Sequence, residues 1–371
     1  MSRVTYTSLR GLLLAATLLA SAHAVVAEPD GPQAEVGAVY TLSNARGGNA
    51  VLVYPRTARG ELAAPVAVPT GGAGTGGGLG NQGAVFLTQN EKWLLAVNAG
   101  SDSISAFAVD HDGVRLTDVV ASGGVRPVSI TEHHGLVYVL NAGSDAIAGF
   151  TLDGEGHLAP LAGSARPLGD VGTAPAQVSF SPAGDLLVVT EKATNQIVTF
   201  RVDRDGFASD GRVQPSSGVT PFGFAFGKRD QVFVSEAFGG APLSSAVSSY
   251  GVGADGTLNT IGASVPTTQT AACWVVVTPS GRFAYTTNAG SASISAFAIG
   301  FGGDITLVSG RAGETGAGAG DLAITGNGRF LYANANGSHT IHAFEVAGNG
   351  ALRAIPTTAT TPVGANGLAA R

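Results

Sequence analysis

One strand-turn-strand unit recurs along this chain, and its period limits the fold more than any other feature. The unit is plainest in Arg282-Phe-Ala-Tyr-Thr-Thr-Asn-Ala-Gly-Ser-Ala-Ser-Ile-Ser-Ala-Phe297. Phe283 to Thr287 alternates apolar with small or polar residues, Asn288-Ala-Gly-Ser is turn chemistry, and Ser293 to Phe297 alternates again, which is a β-hairpin. Aligned on the residue ending the first strand, the copies fall at Asn44, Asn98, Asn141, Glu191, Glu236, Asn288 and Ala335. An aromatic follows nine residues later at Phe107, Phe150, Phe200, Phe297 and Phe344, with Tyr54 and Tyr250 displaced by insertions. Spacings of 43 to 54 residues are too long for a lone hairpin and fit a four-stranded blade. The expected fold is all-β, a seven-bladed β-propeller of four-stranded antiparallel blades, because each blade can bury its faces only against its neighbours.

The chain ends supply the closure. Val36 to Leu42 and Ala50 to Tyr54 form a first hairpin with no inner strand before it. Pro362-Val-Gly-Ala-Asn-Gly-Leu-Ala369 has the look of an inner strand with no hairpin after it. N- and C-terminal strands sharing one blade would close the ring and remove free sheet edges. The remaining hairpins are expected at 93–109, 136–152, 186–202, 231–252, 283–299 and 330–346. Asp112-Gly113, Asp205-Gly206, Asp255-Gly256 and Asn349-Gly350 tighten the turn into the outermost strand. The run Gly71 to Gly83 lacks the Gly-Lys-Ser/Thr ending of a phosphate cradle and reads as a flexible inter-blade loop. Residues 238–246 interrupt the fifth copy, and such insertions are where function is often added.

Of the 371 residues, 1–27 read as a secretory signal: Arg3 and Arg10 precede the apolar run Gly11 to Ala20, and Ala22, Ala24 and Ala27 offer cleavage sites. Residues 28–371 are then one propeller domain, exported to the periplasm or the extracellular space, with no membrane insertion expected because no later stretch nears ~18 continuous apolar residues. Two of the 20 basic side chains lie in that signal, and the rest are outnumbered by 26 acidic ones without forming a basic run, so no nucleic-acid partner is expected. The single cysteine, Cys273, cannot form an intrachain disulfide and reads as a buried inert thiol. His339 and His342, three apart on a strand, point to opposite faces, so no metal site is expected from them, and no cofactor motif is present.

Blade topology brings the start of each inner strand and the end of the second strand to one mouth of the central channel. Asn98, Asn141 and Asn288 can cap their turns through the side-chain amide, and Asn141, Asn288 and Lys192 are also candidate substrate contacts. Glu191 and Glu236 replace Asn in adjacent blades. A carboxylate accepts without donating and is costly to bury unpaired, so each reads either as a general base or substrate clamp, or as a solvated or ion-paired turn residue, with Lys192 available to pair Glu191. Gln177, Phe222 and Trp274 open the inner strands of blades four, five and six, as an amide, an apolar wall and an indole lining a pocket, or as packing on the axis.

Several stretches resemble a known family. Pro175-Ala-Gln-Val-Ser-Phe-Ser-Pro, Val188-Val-Thr-Glu-Lys-Ala-Thr-Asn, Thr220-Pro-Phe-Gly-Phe-Ala-Phe, Val234-Ser-Glu-Ala and Tyr285-Thr-Thr-Asn are similar to the lactonase-type seven-bladed propellers. That family includes propeller-type 6-phosphogluconolactonases and carboxymuconate lactonizing enzymes, and the resemblance covers roughly residues 36 to 369. It implies opening of a lactone or sugar-acid-like ligand at the channel mouth, with Glu236 or Glu191 activating water and Gln177 or the Trp274 N–H donating to the oxyanion. Family members commonly carry Pro-Arg-His at an inner-strand entry and Asn-Glu at the next strand's end. This chain has Pro175-Ala176-Gln177 and Glu191-Lys192, which argues against phosphogluconolactone in particular. The other class is a non-catalytic scaffold or binding module contacting a protein partner through 238–246, since fold does not fix function.

Overall fold

The computed structural model describes residues 1–5 and 35–371. The expected signal segment lies almost wholly outside the described residues. From residue 35 onward, seven antiparallel sheets follow one another, six in simple chain order from inner to outer strand. The seventh combines Asn366–Ala370 as inner strand with Glu35–Leu42, Ala50–Thr57 and Val66–Pro69, so the two ends of the propeller share a blade as expected. Tyr40 stands opposite Ala369, the Thr41 hydroxyl donates to the Gly367 carbonyl at 2.6 Å, and the Arg371 N–H donates to the Ala38 carbonyl at 2.9 Å.

The second strand of each blade lies between two sheets and is covered on both faces. Val137–Asn141, Leu186–Glu191, Gln231–Glu236 and Phe283–Asn288 are buried along those whole spans, their polar residues included. Outer strands such as Val114–Ala121 alternate between exposed and half-buried residues. One outer strand departs from the regular pattern. In blade three it is split into Leu158–Pro160 and Arg166–Pro167, both paired with Ala146–Leu152. Prolines at 160 and 167 lack the N–H that would continue the ladder, and Ser164 bridges the gap by accepting the Gly149 N–H at 2.9 Å.

Two of the predicted turn glycines help seal neighbouring blades. Gly206 and Gly350 have φ of +87° and +83°, the left-handed region glycine occupies without strain. Their carbonyls accept hydrogen bonds from Tyr138 and Tyr285 of the preceding blade, both at 2.8 Å. A Cβ at either position would lie 2.9 Å from Leu136 or 2.5 Å from Phe283, the first residue of that blade's second strand. The Asp/Asn-Gly turn therefore serves twice, reversing the chain and admitting the neighbour's side chain.

Candidate functional site

Of the aligned ring residues, Asn98, Asn141 and Asn288 point into their blades. Asn98 donates to Ser105 Oγ at 2.8 Å and accepts from Asn49 Nδ2 at 3.0 Å. Asn288 donates to Ser295 Oγ at 2.9 Å and Ser293 Oγ at 3.1 Å, and Asn141 donates to the Ser122 carbonyl at 3.1 Å. These amides tie the end of the second strand to the third and fourth, which is the turn-capping arrangement. Glu236 follows the same pattern in carboxylate form. It is fully buried; one oxygen accepts the Gly218 N–H at 2.8 Å and the Ser248 hydroxyl, and the other accepts the Ser264 hydroxyl at 2.7 Å. Burial still raises its carboxyl above the ordinary value, against the pull of these donors. Glu191, also fully buried, accepts the Thr194 hydroxyl through one oxygen, while the other has no hydrogen-bond partner. The two glutamates belong to different blades and share no hydrogen-bond partner.

Alternation along the strand sends Lys192 the other way, toward the axis. Its ammonium donates to the Gly80 carbonyl, sits 4.8 Å from the centroid of the Phe222 ring, and makes no ion pair with Glu191 among the described residues. The expected Lys192–Glu191 pairing is thus replaced by a contact with the glycine-rich loop. The Phe222 and Trp274 rings lie 5.0 Å apart, and both side chains are buried. Burial lowers the Lys192 amine to about 8. Nearby, burial pushes the Cys273 thiol up to about 12, in keeping with an inert cysteine.

Gly71 to Gly83 is a strap, not a free linker. The Asn44 amide donates to the Gly77 carbonyl at 2.6 Å and accepts the Thr75 N–H at 2.9 Å. Farther on, the Asn81 carbonyl accepts the Trp274 indole N–H at 2.7 Å, and the Asn81 amide donates to the Val128 carbonyl of blade three. Gln82 donates to the Val275 carbonyl at 2.8 Å and accepts the Val275 N–H at 3.0 Å, while its own N–H donates to the Ala176 carbonyl at 3.0 Å. The chain therefore bridges blades three, four and six across this end of the channel. Glycine is needed here for close approach: a Cβ on Gly74 would lie 2.2 Å from the Asn44 carbonyl carbon. Gly74→Ala is expected to lift the strap and shift Trp274 emission to longer wavelength in a Trp93→Phe background, at a cost of about 1–3 kcal/mol. Unchanged emission would show that the strap does not need this contact.

Gln177 is drawn into the same framework. Its amide donates to the Phe224 carbonyl at 3.0 Å and accepts the Phe224 N–H at 2.7 Å, which mimics a ladder pair between blades four and five. The register places Ser129, Gln177, Gly223, Trp274 and Asp321 at one equivalent position, two residues after the inner-strand residue opposite the ring. Asp321 was not singled out from the sequence, although aligning inner-strand entries in place of hairpins would have exposed an acid at this axial position. The 238–246 insertion forms a short 3-10 turn at Phe238–Gly240 and then an exposed stretch with Leu243 at its crest, where the Leu243 N–H donates to Thr270 Oγ1 at 3.0 Å.

Comparison with known proteins agrees with this architecture. A structure of the periplasmic gluconolactonase of Pseudomonas aeruginosa matches with a TM-score of 0.70 at 16% identity, covering 90% of this chain and 99% of that one. A candidate 6-phosphogluconolactonase of Bacteroides fragilis matches with a TM-score of 0.70 at 20% identity, covering 92% and 100%. A Lactobacillus plantarum protein matches at 0.71 and 16%, covering 91% and 100%. At such identities these likenesses speak to fold. No curated protein matches the chain at a significant level. The family model described as "Lactonase, 7-bladed beta-propeller" matches residues 47–166 and 177–365, most of the chain, and the protein belongs to that family.

Proposed function

We propose that the protein is a hydrolase of small lactones whose site lies at the strapped mouth of the channel. The observation that carries this reading is the Lys192 amine, half-buried against Phe222 beside the Trp274 indole and held by a strap carbonyl. An amine lowered to about 8 is partly neutral near physiological pH and suited to accept a proton. In this reading Lys192 takes a proton from water, and the resulting hydroxide adds to the lactone carbonyl. The oxyanion then accepts the Trp274 N–H that the Asn81 carbonyl releases when the strap lifts. Collapse breaks the ring C–O bond, and the leaving alkoxide takes the proton back from Lys192 to give the hydroxy acid. Lys192 replaces Glu236 and Glu191 as the base because both carboxylates face into their blades, and Gln177 is left as a positioning residue.

The test is a panel of γ- and δ-lactones followed by pH-stat with the uncatalysed rate subtracted. Turnover should rise with pH through about 8, the value burial gives Lys192. Lys192→Met should lose roughly a hundredfold, and Lys192→Arg, which keeps the charge but cannot act as a base, should not restore it. Unaltered turnover in Lys192→Met sinks this mechanism. The strap across the mouth favours a second reading, a binding module contacting a partner through 238–246, and failure of the wild-type protein to open any lactone supports it. Export, expected from residues 1–27, would direct either role outside the cytoplasm. Terminal sequencing of protein recovered from periplasm and medium tests it, and an uncleaved cytoplasmic chain counts against it.

A further inference from the structure

Beyond the strap, the channel opens into a cavity of about 390 Å³, within the range of small-molecule sites. Inner strands of all seven blades contribute to its lining, and Gln89, His133 and Pro182 stand where those strands end, on the face opposite the strapped mouth. Its walls are largely apolar, with Phe86, Ile130, Phe226, Val276 and Leu368 among them. The carboxyls of Asp321 and Glu132 interrupt them beside neutral amides and hydroxyls such as Gln82, Gln177 and Ser179, and no Lys or Arg is among the lining residues.

Asp321 is 4% exposed, and its Oδ2 has no hydrogen-bond partner. Burial raises its carboxyl well above the ordinary range, although the backbone N–H groups of Leu322, Gly83 and Leu368 pull the other way. Burial favours the neutral form of this carboxyl and leaves Oδ2 unpartnered, so a bound cation that supplies a counter-charge would favour the carboxylate, and one partner chemistry brings that charge together with a body that fits the walls. We propose that this cavity binds a small primary amine with an apolar body, its ammonium group against the Asp321 carboxylate and its body along the Phe86, Phe226 and Val276 walls.

A hard metal cation fits less well, because it takes six or more oxygen ligands. Here two carboxyls are available, and one Glu132 oxygen already accepts the Gly135 N–H at 2.6 Å. An anion would meet both carboxyls with no Lys or Arg to offset them, since His133 at the rim is the one basic side chain in the lining. The strap separates this cavity from Lys192, so the inference stands apart from lactone opening.

Calorimetric titration of the full chain with phenethylammonium, 2-phenylethanol and 3-phenylpropionate tests it. The ammonium probe should bind at least tenfold more tightly than the neutral alcohol, and the carboxylate should not bind. Asp321→Asn, checked for an intact melt, should bring the ammonium probe down to the level of the alcohol. Ser179→Tyr, which narrows the cavity from the blade-four wall, should weaken both by at least tenfold. Equal affinity for ammonium and alcohol, a preference that survives Asp321→Asn, or binding unaffected by Ser179→Tyr overturns the proposal. Should Asp321→Asn fail to fold, the charge series and Ser179→Tyr decide it. Absence of binding by the wild-type protein also overturns it.

Discussion

A chain ending at Ala365 is expected to lose its cooperative fold. The deleted residues include the whole inner strand of blade one, and the remaining edge, Val39 to Leu42, then faces the channel with its backbone groups unpaired. Each lost backbone bond costs about 1 kcal/mol net, and removing buried Leu368 from its cluster with Val39, Tyr54 and Ile341 adds about 2 kcal/mol. Three further ties go with them: Thr41 to Gly367, Arg371 to Ala38, and the Arg56 guanidinium to the Arg371 carbonyl at 2.9 Å. Together these losses rival the whole stability of a typical domain, about 5–15 kcal/mol. An open ring also exposes a flat strand edge, so the truncated protein should elute as aggregate in size-exclusion chromatography and show no sharp melt. Adding a peptide of residues 362–371 during refolding should recover part of the monomer. A truncated chain melting sharply within a few degrees of the full-length protein would mean that the shared blade is not what closes the ring.

The features that could be read from the sequence are those written in neighbouring residues. Seven hairpins were countable because Asn288-Ala-Gly-Ser and its counterparts are local turn chemistry, and the shared blade was visible as two incomplete repeats at opposite ends. The direction of the ring side chains was not. Glu191 and Lys192 are adjacent, and which one faces the axis depends on strand register fixed by distant partners. The strap was misread for a related reason. A run of glycines has the same composition whether it is free or pressed against backbone, and what distinguishes the two is contact between Gly74 and Asn44 and between Gln82 and Val275, 193 residues apart. Asp321 escaped notice because composition predicts that carboxylates are exposed.

Glu236 gives the second large effect, and two substitutions there separate its framework role from a chemical one. Glu236→Ala removes the acceptor of the Gly218 N–H and the Ser248 and Ser264 hydroxyls at a site with no solvent exposure, and leaves a void where the carboxyl stood. Unpaired buried donors cost about 1–3 kcal/mol each when water cannot reach them. With some relaxation, a loss of about 3–5 kcal/mol is expected, a fall of roughly 10 °C in melting temperature for a domain of this size. Glu236→Gln keeps one oxygen for Gly218 and Ser248 and can turn its amide to donate to Ser264, so it should stay within about 1 kcal/mol of wild type. Its effect should also depend on pH in a defined direction. Because burial raises the folded carboxyl above its ordinary value of 4.5, the folded state holds the proton more tightly than the unfolded state. Stability from that proton is fully present below the unfolded value and is lost as pH rises through the folded one. Melting curves from pH 4 to 7 should therefore move in favour of Glu236→Gln relative to wild type. Equal melting of Glu236→Ala and wild type would refute the framework role. A Glu236→Gln protein that melts normally yet opens no lactone turned over by the wild type would return the carboxylate to the chemistry, because an amide preserves these hydrogen bonds and lacks a base.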